Sequence, residues 1–197
     1  MRMRIIARST TLTALALLAS ARLVHAQCFE VLPNWTHTAS SCAVDEGSLT
    51  KYQFNNADFS YKGTETSDNT PTIPSVPLPI IVRCNVLNPL DSSVNPVWTR
   101  LLIGYQDPDG TGTGSRVRAF LRRVHRQTGA TSTLATFDSN RSNATTRREA
   151  FATVSPTTFN FGGYEYFVQI ELTRLFTGLN SNPLAFKARL EHIQCTF

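Results

Sequence analysis

The densest group of chemically active side chains in this sequence is the stretch Ser115–Arg126, which reads SRVRAFLRRVHR. It places five arginines and one histidine within twelve residues. A guanidinium group binds carboxylates and sulfates through paired N–H donors. Arg116, Arg118 and Arg122 could therefore form a ligand-binding stripe for a polyanion, joined by Arg147 and Arg148 if their loop folds nearby. Charged runs more often form a solvated surface with cross-strand ion pairs, and we expect that arrangement here.

A second candidate site is the loop that begins at Asp107, with the sequence DPDGTGTGS. Asp107 and Asp109 place two hard oxygen ligands at alternate positions, as a calcium site requires. An EF-hand loop would need a glutamate at its twelfth position, where this sequence has Arg118. The composition predicts a turn, with an irregular calcium site at Asp107 and Asp109 as the alternative. We expect no other cofactor.

Exposed aromatic rings could supply a third kind of site, because they stack against the faces of sugars. Trp98, Trp35 and Tyr105 are the candidates, and Trp98 leads them. The alternative for Trp98 is packing in the core between Val97 and Leu101, which strand burial favours.

Catalytic signatures are absent from the sequence. It has no HExxH, G-x-S-x-G, P-loop or G-x-G-x-x-G motif. Glu165 and Glu171 share one face of a predicted strand, but six residues of strand separate them by about 20 Å. A glycosidase pair lies within about 5–10 Å. We therefore predict a protein that is not an enzyme.

The sequence contains four cysteines, Cys28, Cys42, Cys84 and Cys195. An even number in an exported chain indicates two disulfides. We expect Cys28–Cys42, which closes a local loop, and Cys84–Cys195, which ties the last strand to an earlier one. A zinc site is disfavoured, because no pair has C-x₂-C spacing.

Residues 1–26 have the pattern of a cleaved export signal: a basic start, a twelve-residue apolar run and small residues before Gln27. The short, arginine-rich form is typical of bacterial leaders, so we expect a secreted protein, extracellular or periplasmic. The leader holds four of the 19 basic residues, which leaves 15 against 14 acidic ones. A nearly neutral mature chain argues against a nucleic-acid partner. No later run is apolar enough to be a transmembrane segment.

Strands dominate the pattern after residue 78. Predicted strands are 79–87, 97–106, 164–175 and 184–195, and the last should bury Phe186, Ala188 and Leu190. Residues Arg116–Arg126 are predicted to pair with Ser132–Phe137 as a hairpin, with a bulge near Arg122 and Arg123.

Together these features predict an all-β protein, an antiparallel β-sandwich of jelly-roll or immunoglobulin-like type with eight to ten strands. Residues 27–197 would form one folded unit, in which 27–78 make an N-terminal arm and proline-rich crossover and 79–197 make the sandwich core. The expected function is an exported, non-catalytic module that binds an extracellular glycan or protein surface. The first alternative is a structural subunit of an extracellular assembly, a homo-oligomer joined by strand addition of residues 28–60. The second is a secreted hydrolase.

Overall fold

A computed structural model of the chain describes residues 27–62, 78–90, 94–142, 145–174 and 182–196. The expected leader and most of the proline-rich segment lie outside these residues. Within them the chain forms eleven strands: β1 (Gln27–Thr38), β2 (Ala43–Val44), β3 (Tyr52–Asn55), β4 (Asp58–Tyr61), β5 (Ile80–Val86), β6 (Arg100–Gln106), β7 (Ser115–His125), β8 (Thr131–Asp138), β9 (Arg148–Thr153), β10 (Tyr164–Arg174) and β11 (Leu184–Thr196). Three short 3-10 helices, Ala39–Ser41, Glu46–Ser48 and Ser139–Arg141, join them. None of the described helices is long and apolar enough to cross a membrane.

The strands form two antiparallel sheets. One, here the β11 sheet, has the order β3-β4-β11-β6-β9, and β1 also pairs with β11. The other, the β10 sheet, has the order β2-β5-β10-β7-β8. From β4 onwards successive strands alternate between the sheets, except for the β7–β8 hairpin. The predicted β-sandwich is confirmed, and its strand order is that of a jelly roll.

Side chains from both sheets meet in one hydrophobic core. In β10, Tyr166, Val168, Ile170 and Leu172 are buried, as the period-two pattern predicts. Their neighbours in sequence face outward on the β10 sheet, because successive strand residues point to opposite faces.

The predicted hairpin is confirmed as β7 and β8. Its pairing register shifts between Leu121 and Arg122, where the sequence requires a bulge. The turn uses Gly129 at a φ of +68°, a left-handed conformation that glycine adopts without steric cost.

The predicted face of β11 is wrong at Phe186. The pairing with β6 shifts register between Ala185 and Lys187, so Ala185 is buried together with Ala188 and Leu190. Phe186 lies instead on the outer face of the β11 sheet, above Gly104 of β6. A Cβ atom at Gly104 would collide with the Phe186 ring.

Our expected disulfide pairing is also wrong, because the bonds are Cys28–Cys195 and Cys42–Cys84. β1 runs antiparallel to β11 and places Cys28 directly opposite Cys195. Cys42 immediately precedes β2, which pairs with β5 and so brings it beside Cys84. Sequence separation does not determine these partners; strand pairing does.

Residues 27–62, which we expected to form an arm, contribute four strands to the two sheets. β1 pairs with β11 of its own chain. Phe59 and Tyr61 of β4 lie in the core, and the Tyr61 hydroxyl donates a 2.8 Å hydrogen bond to the carbonyl of Leu172. This segment is therefore part of the sandwich.

Candidate functional site

The arginine stretch forms β7, and alternate residues of this strand point outward from the β10 sheet. Most of its positive charge is neutralised by acids on neighbouring strands. Arg118 donates a 2.8 Å hydrogen bond to Glu171, as expected, and Arg116 binds Asp138 of β8 through two N–H groups. This face is mostly a set of cross-strand ion pairs.

Arg122 is the exception on the outer face of β7. Within the part of the chain that the structure describes, its guanidinium has no hydrogen-bond or ion-pair partner. The group lies 5.1 Å from the centre of the Phe120 ring, and Arg118 approaches the same ring at 5.7 Å. Cation–π contacts therefore hold Arg122 against the sheet and leave its hydrogen-bonding capacity unused.

The two aspartates of the proposed calcium loop bind the protein's own donors. The Ser115 hydroxyl lies 2.7 Å from Oδ1 of both Asp107 and Asp109. Backbone N–H groups of Gly114 and Ser115 donate to Oδ2 of Asp109, at 2.6 and 3.1 Å. Among the described residues, no three His, Cys, Asp or Glu side chains come together to hold a metal ion. The hydrogen bonds of Asp107 and Asp109 stabilise the loop between β6 and β7.

The environments of these two aspartates move their pKa values apart. Burial raises the pKa of Asp107 to about 6, against the hydrogen bonds from Ser115 and Ser139. Burial also raises the pKa of Asp109, but hydrogen bonds from Ser115, from Asp107 and from backbone N–H groups outweigh this effect. The pKa of Asp109 is therefore lowered. A proton in this cluster therefore resides on Asp107.

The aromatic residues expected to stack on a ligand are buried. Trp98 and Tyr105 have no exposed surface, and Trp35 is 5 % exposed. The Trp98 indole donates a 3.0 Å hydrogen bond to the Pro33 carbonyl and packs edge-on against Phe159. Trp98 therefore packs in the core, as its alternative interpretation predicts, and presents no surface on which a ligand could stack.

The three histidines among the described residues lie in different local environments. His37 stacks on Trp35, and its ring nitrogen lies 3.0 Å from the Ser41 hydroxyl. His125 packs edge-on against Tyr164. His192 lines a small groove whose other described lining residues are apolar, apart from one asparagine.

The structure brings together a site that we did not predict, a cleft between β8 and β9. These strands are the edges of different sheets. The backbone N–H of Ser155 donates a 3.0 Å hydrogen bond to the carbonyl of Leu134, which joins the two edges near one end. The cleft has a volume of about 590 Å³, within the usual range for ligand pockets. The apolar part of its lining includes Phe137, Ala150 and Ala152.

The cleft lining carries two arginines, and neither forms an ion pair with an acid among the described residues. Arg148 donates a 2.8 Å hydrogen bond to Ser142, and the guanidinium of Arg141 has no hydrogen-bond or ion-pair partner among the described residues. The acidic lining residue, Asp138, is bound to Arg116, and that hydrogen bond lowers the pKa of Asp138. Two guanidinium groups therefore remain available to an anion.

A partly exposed aromatic ring completes the cleft. Phe151 of β9 is 52 % exposed, and the Arg100 guanidinium lies 4.1 Å from the centre of its ring. The hydroxyl-bearing residues Thr136, Ser142 and Thr153 line the same cleft. The cleft thus combines charge, hydroxyl groups and an aromatic surface.

The sequence signal for this cleft was weak. The sequence indicates Arg147 and Arg148 only as neighbours of the arginine strand, and Arg141 and Phe151 belong to no motif. The adjacent Arg147 takes no part, because it binds Asp58 through two hydrogen bonds of 3.0 and 2.6 Å. No protein-family model matches this chain, and no curated protein is detectably similar to it in sequence, so function is inferred from the chemistry of the cleft.

Proposed function

We propose that this protein is an exported, non-catalytic binding module that holds an anionic ligand in the β8–β9 cleft. The observation that carries the proposal is the pair Arg141 and Arg148, two guanidinium groups that form no ion pair with the described residues and line an open cleft of about 590 Å³. Hydrogen bonds between arginine and a carboxylate or sulfate are charge-assisted, and they are stronger than neutral ones.

Export is supported by the leader pattern of residues 1–26 and by the two disulfides, which are compatible with an oxidising compartment. In the reducing cytosol such bonds are rare.

A binding role without catalysis is supported by the state of the one carboxylate in the cleft lining. A general acid needs a raised pKa, but the pKa of Asp138 is lowered by Arg116. The hydroxyl of Ser142 accepts from Arg148 and has no histidine beside it among the cleft's described lining residues. A nucleophile with an adjacent base is therefore not assembled in the described cleft.

The test is titration calorimetry of the purified protein with polygalacturonate, and with neutral dextran as the uncharged probe. We expect binding of polygalacturonate that weakens with added salt, and no binding of dextran. Arg141→Gln and Arg148→Gln should each lower the affinity about tenfold, because each removes a charge-assisted hydrogen bond.

The matched control is Arg126→Gln, which removes an arginine from an exposed ion pair with Glu165 elsewhere on the surface. It should leave the affinity unchanged. Equal binding of dextran and polygalacturonate, or full affinity in the Arg141→Gln and Arg148→Gln double variant, would show that the cleft is not an anion site.

A further inference from the structure

We infer that the binding site continues beyond the cleft, across β8 to Phe120 and Arg122 on the outer face of the β10 sheet, and that its ligand is an elongated acidic polysaccharide. This inference rests on the proposed function. It adds the class of ligand and a second contact region.

The cleft and the outer face of β7 share the strand β8. Thr136 lines the cleft and also lies directly opposite Phe120 in the β7–β8 pairing. Adjacent strands are about 4.8 Å apart, so one strand spacing leads from the cleft to the Phe120 ring. Arg122 is two residues farther along the same face of β7, about 7 Å away.

This path ends at an arginine whose hydrogen-bonding capacity is unused. The Nε atom of Arg122 is buried and lies out of reach of a ligand, and the guanidinium lies 5.1 Å from the centre of the Phe120 ring. Its two terminal nitrogens are not among the buried atoms and have no partner among the described residues, so they can donate to an external acceptor. Arg116 and Arg118 cannot serve in the same way, because Asp138 and Glu171 already occupy them.

The chemistry of the surface favours a polysaccharide over an acidic peptide. A peptide that adds to a sheet binds through its main chain at a free edge. The path from the cleft to Arg122 crosses side chains instead, because β8 uses its inner edge to pair with β7. The hydroxyl-bearing residue Thr136 is suited to sugar hydroxyls, and Arg122, which lies over the Phe120 ring, is suited to a carboxylate.

The test is a length series of galacturonate oligomers, from the dimer to the octamer, bound to the full protein in calorimetry. We expect the affinity to rise with length until an oligomer reaches Arg122. In Arg122→Gln the long oligomers should lose about tenfold in affinity, while the dimer, which fits within the cleft, binds as before. Phe120→Leu should reduce the same length-dependent gain.

The control variant is Arg83→Gln, an arginine on the outer face of β5 that pairs with Asp45 at 2.5 Å. It should preserve the whole length series. If affinity stops rising at the dimer, or if Arg122→Gln lowers all lengths equally, the extended site is wrong while the cleft still stands. If Arg141→Gln and Arg148→Gln also have no effect, the proposed function fails with it. Tighter binding of polyglutamate than of any oligogalacturonate would overturn the polysaccharide assignment.

Discussion

The hydroxyl of Ser139 donates a hydrogen bond to the buried carboxyl group of Asp107 and accepts one of 2.8 Å from the backbone N–H of Val117. Asp107 follows β6, and Ser139 begins the short 3-10 helix that carries Arg141. This contact therefore attaches one wall of the cleft to the loop between β6 and β7. Its strength depends on the protonation state of Asp107.

The stability of the fold should fall as the pH rises from about 4 to about 7. The pKa of Asp107 is about 6 in the folded chain and 3.8 ordinarily, so between these values the folded state binds more protons than the unfolded state. The stabilisation is complete below pH 3.8 and is lost through pH 6. A shift of this size corresponds to at most about 3 kcal/mol. Urea unfolding at several pH values measures it.

Asp107→Asn should remove this slope, because the asparagine does not titrate. Asp45→Asn, which takes a carboxylate from a surface ion pair, is the control. Folding lowers the pKa values of Asp109 and Asp138, so these two groups make stability rise with pH, and they do so only below about pH 3.8. They therefore do not contribute to the fall in stability between about pH 4 and about pH 7. An undiminished slope in Asp107→Asn would assign the effect to another group.

Substitutions at Trp98 and Phe151 should affect different properties: the first should lower stability, and the second should weaken ligand binding. Trp98→Ala should cost about 3–5 kcal/mol of unfolding free energy, because it leaves a cavity in the core. Phe151→Ala should change stability by less than about 0.5 kcal/mol, since the ring is half exposed, but should weaken polygalacturonate binding. Denaturant unfolding and calorimetry measure the two quantities. Trp98→Phe, which keeps an aromatic ring, provides a folded variant whose affinity should be normal.

Gly104 and Phe186 should be energetically coupled. Gly104→Ala alone should destabilise the fold by about 1–3 kcal/mol, because its Cβ collides with the Phe186 ring. In a Phe186→Ala background the same change should cost much less. A double-mutant cycle from urea unfolding measures the coupling. Additive effects would mean that the strain at Gly104 does not come from that ring.

The two disulfides should be reduced in a fixed order. Cys28 and Cys195 are exposed near the ends of β1 and β11, while Cys42 is 7 % and Cys84 1 % exposed. Under native conditions dithiothreitol should therefore open Cys28–Cys195 first, because a thiolate must reach the sulfur that it attacks. Alkylation followed by mass spectrometry identifies the order. Simultaneous labelling of all four cysteines would indicate that reduction proceeds through global unfolding.

The local pattern of apolar residues was sufficient to predict much of the fold. The alternation in β10 predicts its buried face, since a strand exposes every second residue to the same side. In β7, the three-residue spacing of Leu121 and Val124 predicts a bulge, and the register does shift at Arg122. Both inferences depend on residues close together in the sequence.

Other features depend on which distant segments pair. The partner of Cys28 is decided by the antiparallel alignment of β1 with β11, and the outward position of Phe186 is decided by a register shift against β6. Neither is encoded in local hydrophobicity.

The sequence by itself determined that the chain forms strands, which faces of most of them are buried, and that one strand is rich in arginine. Only the tertiary structure decided which arginines are free. Acids on β8 and β10 neutralise Arg116 and Arg118, while Arg141 and Arg148 meet at a cleft between edges of two sheets. Ion pairing and concavity are properties of side chains brought together from different strands, so no single segment contains them.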